Sequence, residues 1–210
     1  IEVIELELIY SDLATAEKRV GAAEKKAKSG KEAEKKELAV FSKIKEHLES
    51  GQPIRTLDLS EDEKEIKKTV QFLSEKPVLY VANIAEEQIA TAESDPNIAK
   101  VREIAAKEGA EVVVISTKLE SELAELSDEE AKELLADYGL KESGIERLAK
   151  QAYELLGLIT YLTSGEQETR AWTITAGTKA PQAAGVIHTD FEKGFIKAEV
   201  IGYEQLKELK

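Results

Sequence analysis

The sequence predicts an α/β fold: a parallel sheet carrying an inserted antiparallel helical hairpin and followed by a small β-containing module. Three observations carry that prediction. Two short apolar, β-favouring runs, "VLYVA" at 78–82 and "AEVVVIST" at 110–117, flank a helical stretch, which is the order of a βαβ unit. Upstream, apolar residues recur at three- and four-residue steps on both sides of a glycine, as in a pair of helices folded back on each other. Beyond Gly165 the texture changes to a stretch holding the only Trp, the last of the four prolines and several glycines.

Taken in order, "IEVIELELIY" alternates early and then turns helix-like, so strand and helix both stay open there. From Leu13 the pattern sharpens, with Leu13, Ala16, Val20, Ala23 and Ala27 on one helix face and small enough to allow close packing. "KSGK" interrupts the run, and Gly30 reads as a helix stop. A second periodic run, Leu38, Phe41, Ile44 and Leu48, ends near "SGQP", where Gly51 and Pro53 break helices. The hairpin so formed, 13–55, has a basic turn. Residues 17–37 hold Lys18, Arg19, Lys25, Lys26, Lys28, Lys31, Lys35 and Lys36 against five Glu. Its surface reads either as a solvated coiled-coil face or as an arm whose tip touches an anionic partner.

Ser60 followed by Glu63 forms a capping box, opening a helix expected to run through Ile66, Val70 and Leu73. Between the two strands, Ile98, Val101 and Ile104 share a helix face. After the second strand come an acidic helical stretch, "LESELAELSDEEAKELLADYGL", and a further helix, "GIERLAKQAYELLGLITYLT", offering Leu148, Tyr153, Leu155, Leu156 and Ile159 for burial. In the last module the β-rich runs centre on Trp172 and Ile196, with Trp172, Phe191 and Phe195 read as core.

At 210 residues and 42% hydrophobic, the chain is sized for one or two folded domains. No stretch approaches the ~18 consecutive apolar residues of a membrane span, and the absence of cysteine excludes disulfides and thiolate metal sites. A cytoplasmic protein is expected. Opening on Ile1 without a single Met, the sequence is expected to be part of something longer. A net charge of −13 argues against a protein that simply coats nucleic acid, although the hairpin is locally basic. His47 and His188 have no second His at metal-ligand spacing, so structural or surface roles are expected. No Ser-His-Asp set or glycosidase-like carboxylate pair stands out.

The chemistry gathers at the strand ends. Asn83 and Glu86 arrive where the first strand surfaces, Ser116 and Thr117 where the second one does, and that carboxyl edge is where open α/β sheets bind ligands. "NIAE" and "STK" resemble the base-recognition elements of GTPase-type P-loop proteins, which read Asn-Lys-x-Asp and Ser-Ala-Lys. There a carboxylate at the fourth motif position accepts bonds from guanine's ring and exocyclic N–H groups, the Asn ties neighbouring loops, and a backbone N–H caps the base carbonyl. This chain departs twice: Ile84 replaces Lys, and Glu86 replaces Asp, setting the carboxylate one methylene further out, where it no longer selects against adenine.

Those departures, the inserted hairpin, and the C-terminal "TKAPQAAGVIHTDFEKGFIKAEVI", above all "IHTDFEKGF", resemble the YchF subfamily of Obg-like P-loop ATPases and GTPases (TRAFAC class). The last stretch is similar to the start of that family's TGS module, a β-grasp fold. The resemblance implies an ATP-preferring P-loop hydrolase that acts on ATP or GTP with Mg²⁺ and associates with the ribosome or rRNA. It implies that Asn83, Ile84 and Glu86 line the base and that Ser116, Thr117 and Lys118 form the second loop. It places 1–12 and 56–164 in the nucleotide-binding G domain, 13–55 in the arm, and 165–210 in an incomplete TGS module. Lys25, Lys26, Lys28, Lys31, Lys35, Lys36 and His188 become candidates for contact with nucleic acid.

The sequence contains no Gly-x-x-x-x-Gly-Lys-Ser/Thr loop to cradle phosphates, and the switch segments are missing as well. The expectation is that this chain holds the base-recognition half without the phosphate site, with no catalytic or metal-ligating residue of its own. Alone, it would neither hydrolyse nor tightly bind a nucleotide. Two other classes stay open: a non-enzymatic RNA- or ribosome-binding arm plus TGS module, and an adaptor whose arm binds protein helices.

Overall fold

A computed structural model describes residues 1–165 and 168–208; residues 166–167 and 209–210 of the expected 165–210 module lie outside the described residues. The opening segment is helical: α1, Glu2–Ala27, runs without a break into the periodic stretch, and α2, Glu32–Glu49, folds back along it. Gly30, at φ +81, supplies the left-handed residue the turn requires. Ile9 and Ala16 from α1 meet Val40, Phe41, Ile44 and Leu48 from α2, and Ile54, Val70 and Phe72 complete this core. Ala16 is fully buried, as close helix approach demands.

The capping box forms as the sequence indicates: Glu63 N–H donates to Ser60 Oγ at 3.3 Å, and Ser60 N–H donates to Glu63 Oε2 at 2.7 Å. The helix it opens, α3, stops at Lys67 instead of continuing through Leu73. Long-range bonding overrides the helical pattern here, because the buried Asp12 carboxylate accepts the backbone N–H groups of Leu73 and Ser74. Val70 and Phe72 still enter the core, while Leu73 is 43% exposed.

Strand β1, Leu79–Asn83, is followed by a 3₁₀ stretch, Glu86–Ser94, then α4, Pro96–Glu108, and β2, Glu111–Ile115. The strands pair in parallel, completing the βαβ order. The acidic stretch is split into α5, Thr117–Leu123, and α6, Asp128–Asp137, and α7 spans Gly144–Leu155. Ser127 with Glu130 and Ser143 with Glu146 form two more capping boxes. Both show the Ser-x-x-Glu spacing in the sequence.

The α7 helix ends at Leu155, short of the expected Ile159. Gly157, at φ +61, turns the chain, and "LITYLTS" becomes β3, Leu158–Ser164, pairing antiparallel with β4, Thr169–Thr175. In that register Ile159 faces Ile174 and Tyr161 faces Trp172. Leu156 and Ile159, expected to be buried, are about half exposed. Three short helices follow: α8, Ala180–Ile187, α9, Thr189–Lys193, and α10, Tyr203–Glu208. The β run expected around Ile196 is not formed, and Ile196 is 91% exposed. No described strand pairs with that segment, so its backbone groups are left to water. Phe191 is likewise exposed and not core, whereas Trp172 and Phe195 are half-buried.

The chain divides into two compact units. One comprises Ile1–Tyr80 with Ala99–Val112 and contains the hairpin core; the other comprises Val81–Ile98 with Val113–Lys210. In the second unit Ile98, Val113, Ile115, Leu119 and Leu135 are buried.

Candidate nucleotide-base site

The site grows from the carboxyl ends of β1 and β2. Pairing continues past β1, with Ile84 N–H donating to the Ile115 carbonyl at 2.9 Å, which fixes the spacing of the two loops that follow. Asn83 Oδ1 accepts the Thr117 N–H at 3.0 Å, so the amide of the first loop holds the first turn of α5. Its N–H₂ group has no protein partner among the described residues.

Glu86 opens the 3₁₀ stretch with its side chain only 10% exposed. Its Oε2 accepts from Lys118 Nζ at 2.5 Å, and its Oε1 is buried without a hydrogen-bond partner. Ser116 is 4% exposed, and its Oγ is also buried and unpartnered. Ile84 is half-buried, whereas Thr117 is exposed. The bond to Glu86, reinforced by that carboxylate's charge, raises the pKa of the Lys118 ammonium above the ordinary lysine value. The arrangement brings together the expected residues of both loops and offers a solvent-shielded carboxylate oxygen as an acceptor. It also offers a hydroxyl of either sense and the Asn83 amide as a donor.

Support for the second loop comes from residues the sequence does not single out. Glu120, buried on α5, accepts N–H bonds from Gly144 at 2.6 Å and Ile145 at 3.2 Å. It thereby caps the amino end of α7, where a carboxylate is favoured by the exposed N–H groups. Arg147 donates to the Val114 carbonyl of β2 at 2.9 Å. The Ser143–Glu146 box marks this helix start in the sequence, but nothing distinguishes Glu120 within its acidic run.

The other candidates belong to other elements. Lys25, Lys26, Lys28, Lys31, Lys35 and Lys36 are all exposed around the hairpin turn, with Lys26 paired to Glu37 at 3.3 Å. His188 is exposed, its Nδ1 accepting the Asp190 N–H at 3.2 Å and its ring 6.1 Å from that of Phe191. His47 has a structural place, with Nε2 within 3.1 Å of the Pro53 carbonyl and 3.0 Å of Thr56 Oγ1.

Glu86 Oε1 and Ser116 Oγ are thus a buried acceptor and a buried hydroxyl without a protein partner. The sequence has no phosphate-cradling loop, and the described residues include no group of three or more His, Cys, Asp or Glu placed to hold a metal ion. Among the described residues no helix is long and apolar enough to cross a membrane.

The comparisons agree with this architecture. The family model YchF-GTPase_C, described as a protein of unknown function (DUF933), matches residues 158–210. The ribosome-binding ATPase YchF of Bacillus subtilis (strain 168) is 48% identical over 206 residues, which is 98% of this chain and 56% of that protein. Its namesake from Escherichia coli O157:H7 is 48% identical over 204 residues, 97% of this chain and 55% of that one. The solved structure of the Schizosaccharomyces pombe YchF GTPase has a TM-score of 0.87 and 34% identity, covering 98% of this chain and 56% of its own. The chain spans a little over half the length of these relatives. On this identity and fold similarity along nearly its whole length, together with the match of 158–210, the chain belongs to the YchF family of Obg-like ATPases.

Proposed function

We propose that this chain contributes the base-reading end of a nucleotide site, together with the arm and TGS-like module, to a ribosome-associated protein that hydrolyses ATP, with GTP as the second candidate substrate. In this reading 1–12 and 56–164 belong to the nucleotide-binding G domain, 13–55 to the inserted arm, and 165–210 to a β-grasp module. The curated relatives are named ribosome-binding ATPases, and that activity comes to this chain as part of the proposal.

The observation that carries the reading is the buried, unpartnered Oε1 of Glu86 beside the strand-end loops. An acceptor shut away from water and left without a donor is unfavourable by roughly 1–3 kcal/mol, and a purine's exocyclic amine relieves that deficit. Asn83, through Thr117, holds the two loops at a fixed separation, while Ile84 supplies an apolar edge for the base. Mg²⁺ and the phosphates would supply the hydrolytic chemistry when bound; the residues of this chain bind and orient the base, and no phosphoryl-transfer step is assigned to them.

The test replaces Glu86 by Asp and Ile84 by Lys together in the intact protein and measures competition between ATP and GTP. The expected outcome is a shift of preference toward GTP, and an unchanged ratio refutes the base-site assignment.

A second reading, a non-enzymatic RNA- or ribosome-binding arm, is favoured by the exposed lysines around the hairpin turn. It predicts ribosome binding that weakens steeply with salt and on Lys28→Glu and Lys31→Glu. Binding indifferent to both removes it.

A further inference from the structure

We propose that residues 195–201 form an edge strand for a second copy of this chain, pairing antiparallel with the same residues of that copy about Ala198.

From Gly194 to Gly202 the sequence reads "GFIKAEVIG", which is the same chemistry in both directions with the charges reversed in sign. Antiparallel pairing centred on Ala198 sets Lys197 opposite Glu199 of the second copy and Ile196 opposite its Val200. Phe195 then meets Ile201, and a glycine closes each end. Each pair occurs twice about the two-fold axis, as an isologous interface requires. Directly opposed residues share a face, so the charged pairs line one side of the ribbon while Ile196, Ala198 and Val200 line the other.

The structure leaves this segment available. No described strand pairs with it, and Ile196 and Val200 are each 91% exposed. Lys197 Nζ lies 3.8 Å from Glu199 Oε1, on the shared side that residues two apart occupy in a strand. No proline interrupts the run. A lysine on an edge ordinarily keeps other strands away, but here it is answered by any partner carrying a carboxylate at the opposed position. No described strand of the chain carries both an acidic and a basic residue: the charged members are Glu111 in β2 and Arg170 in β4. A second copy supplies both signs in the order required, which is why it is the occupant.

The test is sedimentation equilibrium of the 210-residue chain at low salt. So short a pairing makes a small interface, and the wild-type chain is expected to pass from monomer to dimer as its concentration rises. Lys197→Glu sets two like-charged pairs face to face and weakens dimerisation by roughly tenfold, and Glu199→Lys does the same. Both side chains are exposed, so the variants keep the fold. An equimolar mixture of the two variants restores opposite charges at every position and is expected to dimerise as well as wild type. A wild-type chain that stays monomeric at millimolar concentration overturns the proposal. So does a dimer indifferent to Lys197→Glu, which places the contact elsewhere, or a mixture no stronger than its components, which excludes this antiparallel register. Hydrogen exchange separates the remaining occupant: protection of the 196–200 amides that does not change with concentration means that the segment pairs within its own chain, and that too overturns the proposal.

Discussion

Asp12 and Ser74, 62 positions apart, are joined by one buried carboxylate: Asp12 Oδ2 accepts both the backbone N–H and the hydroxyl of Ser74, each at 2.7 Å. Oδ1 takes the Leu73 N–H at 2.8 Å, and Ser74 Oγ in turn accepts the Ile54 N–H at 3.2 Å. The carboxylate ties α1 to the segment that leads into β1. Asp12 is 2% exposed, so the donors that it accepts from are shielded from solvent. Asp12→Ala is expected to cost about 3 kcal/mol and Ser74→Ala about 1 kcal/mol, because the aspartate leaves several buried donors unpaired and the serine fewer. Urea unfolding midpoints check the order, and equal midpoints for the two variants contradict it.

Tyr80 donates its phenol proton to Glu108 Oε2 at 2.9 Å, and the same oxygen accepts from Arg55 at 3.0 Å, with Glu5 closing the cluster on Arg55. Burial first, and then the bond to Glu108 and its charge, push the Tyr80 phenol from 10.0 up to about 12. Between those values the folded protein keeps a proton that the unfolded chain has lost. The contribution of Tyr80 to stability is therefore complete below pH 10 and declines as pH rises through about 12. The stability gap between wild type and Tyr80→Phe is expected to narrow as pH rises across that window, as read from urea unfolding at each pH. A gap independent of pH contradicts the assignment.

What is legible in the sequence follows from how local its cause is. The paired helices, the Ser60–Glu63 cap and the strands at β1 and β2 are set by nearby periodicity and cap chemistry, and they form close to where the pattern puts them. The meeting of Asn83 with Thr117 follows from the parallel order of those strands. The end of α3 is different, because Asp12, far away in sequence, captures Leu73 and Ser74. "LLGLITYLT" is apolar enough for either a helix or a strand, and Gly157 together with pairing to β4 decides for the strand. Ile196 sits in a β-favouring run, but propensity alone does not make a strand without a partner. At the site, Glu120 acts only through its contact with Gly144 and Ile145, a relation that no spacing along the chain announces.

Gly144 and Gly21 make opposite predictions from the same substitution. A Cβ at Gly144 would lie 2.7 Å from Ile115 Cγ2 and 2.8 Å from Glu120 Oε1, whereas at Gly21, inside α1, it meets nothing within 4 Å. Gly144→Ala is therefore expected to destabilise by about 1–3 kcal/mol through overpacking. Gly21→Ala is expected to stabilise by about 0.5–1 kcal/mol, through helix propensity alone. The two differ in reach as well as sign. Ile115 ends β2 and Glu120 lies on α5 just past Ser116 and Thr117, so a shift at Gly144 passes into the second loop through residues it touches. Thermal unfolding reads the stabilities, and amide chemical shifts read the reach: the Thr117 and Lys118 signals should move in Gly144→Ala and remain in place in Gly21→Ala. If Gly144→Ala leaves those amides unmoved, the α7 amino end does not position the second loop, and its contact with Glu120 serves stability alone.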